Sequence, residues 1–181
     1  MKKGTFSLFQ IFLIAFFSIL IAITKVYLKF SLKIPGHSAL FLITLLIIIR
    51  GLVPRKGTAL IAGALGGLLA AGISLSARGP LDTFLCYTAA GFGVEIAALA
   101  FKNLEYFPFA AIAGLLGNMI KLGAKITLDF SLGTPLPLIL AGRTYSFFTY
   151  LIFGIISGLL GALTLKALRK AGLFVYLAEK Q

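Results

Sequence analysis

Asn118, Lys121, Lys125 and Asp129 share one apolar stretch, "GLLGNMIKLGAKITLDF" (114–130), at spacings of three, four and four. On an α-helix those spacings put all four on one face. Two ammonium groups and a carboxamide on one stripe can hold the oxygens of an anion. An unpaired charge at a bilayer centre costs roughly 2.5–3.5 kcal/mol on insertion scales, so such a stripe calls for compensation. One source is structural: Lys125 paired with Asp129 one turn on, and Lys121 reaching Glu95 or snorkelling to the interface. The other is a ligand in a lined cavity, and two lysines above Asn118 on one face favour it.

A second candidate is His37 in "IPGHSALF" (34–41), a turn residue able to donate to a ligand carboxylate. With a single histidine and a single cysteine, Cys86, the chain offers no disulfide and no His- or Cys-based metal cluster. No Walker A, HExxH or GxSxG motif occurs, and no paired carboxylates. Neither catalysis nor a cofactor or metal is expected.

The elements that must carry these residues follow from composition. The chain is 60% hydrophobic and 12% charged over 181 residues, which a water-soluble domain cannot bury. A single integral membrane domain over 1–181 is expected, in the lipid bilayer of a cell membrane. Six apolar runs, 6–30, 34–53, 59–77, 83–101, 109–130 and 144–165, each approach the roughly 20 residues that cross a bilayer. They are continuous rather than alternating, so the fold class is an all-α bundle of six transmembrane helices, not a barrel. Small residues four apart, Gly63/Gly67, Gly154/Gly158 and Ser157/Gly161, suit close helix contact.

The net charge of +12 reads as membrane orientation rather than nucleic-acid binding. With the N-terminus in the cytoplasm, ten cations fall inside and five outside: Lys25, Lys29, Lys33, Arg78 and Arg143. Both termini are therefore expected in the cytoplasm. At 1.5 Å per residue, Lys121 stands about 18 Å and Lys125 about 24 Å above the inner end of the fifth run. Both then join the outer cations in a basic concavity suited to an anionic or carboxylate-bearing ligand. The expected binding set is Lys121, Lys125, Asn118, His37, Arg143, Arg78 and Lys33, closed over by the 31–38 and 131–143 loops.

A chain of this length, with six runs, inner termini and no ATPase motif, resembles the substrate-binding S component of an energy-coupling factor (ECF) vitamin transporter. The run "PGHSALFLITLLIIIRGLVPRKGTALIAG" (35–63) is similar to part of one such group. The resemblance implies capture of a vitamin or related micronutrient at the outer side of a prokaryotic plasma membrane. It implies docking on a transmembrane T component and two ABC ATPases. The family's docking face carries an Ala-x-x-x-Ala pattern on the first span; here the nearest residues are Ser18, Ala22 and Ala15. Two rival classes are a small membrane enzyme of lipid or isoprenoid metabolism, read by turnover, and an oligomeric anion channel, read by conductance.

The cation asymmetry predicts that reporter fusions after Arg55 and after Lys170 both read cytoplasmic. An external signal at either position overturns the topology.

Overall fold

The computed structural model describes residues 6–27, 36, 37, 39–73, 79–101 and 103–172. It contains six α-helices: α1 Leu8–Tyr27, α2 Ala39–Leu52, α3 Thr58–Ile73, α4 Pro80–Ala100, α5 Phe107–Ser131 and α6 Leu136–Lys170. No strand occurs among the described residues. Each helix falls on one of the six apolar runs. Four of them, α1, α4, α5 and α6, are long and apolar enough to cross a membrane.

Two lengths depart from expectation. Helix α2 has 14 residues, or about 21 Å. Helix α6 has 35 residues, about 52 Å. It starts before 144, so the expected 131–143 loop shrinks to residues 132–135, and Arg143 sits inside a helix. The prolines that suggested a loop stand at the helix start instead. Pro135 is the N-cap and Pro137 lies in the first turn, where a missing N–H removes no intrahelical bond.

Side-chain meetings fix the direction of every helix. Against α6, α2 runs parallel: the Thr44 hydroxyl donates to the Ser157 carbonyl at 3.1 Å, and Gly161 lies on Ile47 and Gly51 on Leu165 further down. Likewise α1 runs parallel to α3, with Ser18 at Ala62 and Ile21 at Gly66. The pairs α3/α4, α4/α5 and α5/α6 are antiparallel, through Ala59–Gly91 and Gly67–Tyr87, Gly93–Gly117, and Ala110–Gly158 and Asn118–Tyr150. Successive helices therefore alternate, and α1 begins at the end of the bundle where α6 finishes. That end is called lower and the opposite end upper.

The central element is α2, which touches all five other helices. Ile43, Leu46, Ile47 and Ile49 on it are fully buried, as expected of a helix apolar all round. Outside, Phe12, Phe16, Leu68, Phe148 and Ile152 are exposed, a surface suited to an apolar solvent.

Glycine sets the closest approach. A Cβ on Gly158 would collide with the Ala110 carbonyl, whereas nothing lies within 4 Å of one on Gly123. Gly158→Ala should lower the thermal unfolding midpoint in detergent, through overpacking of about 1–3 kcal/mol. Gly123→Ala, in the same bundle, should leave it unchanged or raise it. Equal midpoints for the two variants would show that this contact does not limit stability.

A candidate anion site at the upper end

Lys121 is the residue around which the upper end is organised. It is 5% exposed on α5, and its Nζ lies 6.0 Å from the centroid of the Tyr87 ring on α4. Lys25, in the last turn of α1, brings its Nζ to 5.9 Å from the same centroid. Among the described residues, neither ammonium has a carboxylate within ion-pair distance. The ring face attracts both, by roughly 0.5–2 kcal/mol each, which falls short of what a carboxylate supplies in a dry site.

The ionisable groups acting on Lys121 are Cys86, Lys125, Lys25 and Asp82. Asp82 stands in the first turn of α4, with Cys86 one turn on and its Sγ 3.6 Å from Asp82 Oδ1. Thr83, a turn before Tyr87 on the same helix face, is 1% exposed, and its hydroxyl has no hydrogen-bond partner.

Asn118 is fully buried one turn below Lys121. Its Nδ2 donates to the Tyr150 carbonyl of α6 at 2.6 Å, and its Oδ1 has no partner. An orphaned buried acceptor costs about 1–3 kcal/mol. His37 enters from another side. Gly36, at φ 89°, lies so close to Tyr150 that a Cβ would sit 2.9 Å from its ring. Only glycine takes both that dihedral and that contact readily. His37 follows, half-buried, its carbonyl accepting the Leu40 N–H at the start of α2. Asn118 and the His37 turn therefore meet at one residue of α6.

The structure thus brings Lys121, Lys125 and Asn118 onto one helix and carries the His37 turn to their level. Three expected members remain: Arg143, Arg78 and Lys33. Arg143, inside α6, gives its guanidinium to Asp129 of α5, an ion pair that ties the helices rather than a loop residue over a pocket. Arg78 and Lys33 lie outside the described residues. Tyr87 and Thr83 are not among the expected residues; their spacing of four, beside the same spacing of Asp82 and Cys86, is the local signal for two polar rows on α4.

Glu95 is not a partner of Lys121. It lies at the lower end, its Oε1 accepting from Arg50 Nε at 3.1 Å and the Gly57 N–H at 2.8 Å. Its Oε2 accepts the Ala59 N–H at 3.0 Å. An acid eight residues beyond Tyr87 on a 21-residue helix is about 12 Å too low to reach the upper cluster.

The expected docking residues also move. Ser18 is 1% exposed, its hydroxyl donating to the Ile14 carbonyl at 2.8 Å and reaching the Ala62 carbonyl at 3.3 Å. Ala22 is buried as well. Ser18 thus serves contact with α3 inside the chain. Only Ala15 is exposed, on the face of Phe12, Phe16, Ile19 and Ile23.

Compared with protein-family models, curated proteins and solved structures, the chain matches none of them.

Glu95→Gln keeps shape and removes the charge opposite buried Arg50. Breaking a buried pair from one side costs about 3–5 kcal/mol, so the variant should unfold at a clearly lower temperature than the parent in detergent. An unchanged midpoint would mean that the pair contributes no net stability.

Proposed function

We propose that this chain is the substrate-capture S component of an ECF-type importer, binding a small anionic or carboxylate-bearing micronutrient at the upper end of its bundle. The single observation that carries this reading is Lys121: a nearly buried ammonium on an apolar helix, without a carboxylate partner among the described residues. A buried cation left in that state is stabilised when an anion arrives. Lys25 on the same ring and the orphaned Asn118 Oδ1 support the same reading. A bound ligand supplies the missing anion and hydrogen-bond donor together.

In this reading all six helices cross a prokaryotic plasma membrane and both termini are cytoplasmic. The alternating directions and the shared end of α1 and α6 support an even number of crossings. The short α2 fits because the other helices, not lipid, surround it. A transmembrane T component and two ABC ATPases complete the transporter, and the exposed face of α1 that includes Ala15 is open to the T component. The chain binds and releases; it does not turn its ligand over.

Mass spectrometry of the gently purified chain should release a small anionic compound. A charge-assisted contact is worth roughly 1.5–3 kcal/mol, so Lys121→Met should lower affinity for that compound about ten- to a hundredfold. Thermal stability of the empty variant should hold or rise, because an expensive charge is gone. Unchanged affinity together with lost stability would make Lys121 a structural residue and remove the basis of the proposal.

A further inference from the structure

The upper end carries more positive charge than one carboxylate can neutralise. Its described cations are Lys25, Lys121 and Lys125, with Arg143 beyond them, and its described acids are Asp82 and Asp129. Glu95 and Glu105 both lie at the lower end, on Arg50 and Arg169. However these groups pair among themselves, the cations at this end outnumber the acids. Asp129 is engaged by Arg143. Asp82 is the only other described acid there, and it faces Lys121 from the α4 side together with Cys86.

The excess is concentrated on one side chain. Lys25 of α1 and Lys121 of α5 both approach the Tyr87 ring, so two other helices direct like charges at one ring of α4. Like charges held this way repel, and the repulsion strengthens as the surroundings dry. A fold that only packed helices would gain by separating them. Thr83 adds a second, independent mark: a buried hydroxyl without a partner, on the Tyr87 face of α4. A hydroxyl can donate to an anion oxygen as readily as an ammonium can.

We infer that the upper site selects a dianion, either a phosphate monoester or a dicarboxylate, held by Lys25 and Lys121 across the Tyr87 ring with the Thr83 hydroxyl donating to it. The inference rests on the proposed capture function and narrows its ligand. Two negative charges match the two ammonium groups, Lys25 and Lys121, that approach the ring. A monocarboxylate leaves one ammonium uncompensated in a nearly dry site. Lys25 is therefore the residue that separates dianion from monoanion, and Lys121 is required by both.

The test uses the full chain purified in detergent at low salt near neutral pH, with thermal stabilisation titrated by inorganic phosphate, glycerol phosphate, succinate and acetate. At least one of the three divalent anions should stabilise at a tenfold or more lower concentration than acetate. Phosphate probes ahead of succinate assign the site to phosphate esters, and the reverse order assigns it to dicarboxylates. Lys25→Met should erase the preference for the dianion while leaving the weak acetate response. Lys25→Arg should retain the preference, which guards against a mere folding defect in the methionine variant. Thr83→Val should weaken dianion binding several-fold. Acetate acting as well as every divalent anion, or a preference that survives Lys25→Met, overturns the inference. If no anion stabilises the chain the inference also falls. Co-purification of ATPases from the native membrane then decides separately whether the capture function stands.

Discussion

Glu95 holds together the parts on which the rest of the bundle depends. Its carboxylate takes the guanidinium of Arg50 at the end of α2 and the first N–H groups of α3, from a position near the end of α4. Three helix ends meet on one buried anion. A buried ion pair alone is an uncertain source of stability, since desolvation offsets attraction. Here the carboxylate also satisfies backbone donors that a helix start otherwise leaves open. That second role fixes where α3 begins. From there the α3/α4 register follows, Ala59 against Gly91 and Gly67 against Tyr87. The height of the Tyr87 ring, and so the meeting point of Lys25 and Lys121, is set from the opposite end of the bundle.

The two ends treat charge differently. At the lower end Arg50 meets Glu95, Arg169 meets Glu105 at 2.8 Å, and Lys166 lies 3.8 Å from the centroid of the Phe107 ring. These contacts close the lower ends of α2, α4, α5 and α6 within the chain. At the upper end Arg143 and Asp129 join α5 to α6, and Lys25 and Lys121 gather on an aromatic ring. Polar atoms left without partners, Thr83 Oγ1 and Asn118 Oδ1, belong to this upper half. The lower end is locked by ion pairs, and the partnerless polar atoms lie above that lock.

Close backbone contact makes that segregation workable. Glycines at the α3/α4, α4/α5 and α5/α6 seams let the helices touch along their backbones, where apolar side chains alone gain little over lipid. The small residues read from the sequence as packing sites, Gly63, Gly67, Gly154 and Gly158, lie at these seams. Ser18 and Ala22 are equally small and suggest a docking face, yet both are buried and Ser18 meets α3. A small residue marks a close approach but not the partner that approaches.

Sequence alone determined that the chain is helical, where its six apolar runs lie, and that Asn118, Lys121 and Lys125 share a face, because each property depends on residues within a few turns. It also singled out the burden of charge on the fifth run. Tertiary structure decided what met that charge. Glu95 is far from Arg50 in sequence and Tyr87 is far from Lys25 and Lys121, and such pairings depend on helix order, direction and register rather than local pattern. The length of α6 was hidden because proline and glycine mark loops and helix starts alike, and only packing separates the two. The shortness of α2 was hidden because an apolar run reads the same whether lipid or protein covers it. Whether a lysine has a carboxylate beside it is a property of the assembled bundle, and at the upper end the assembled bundle leaves Lys25 and Lys121 on the ring of Tyr87.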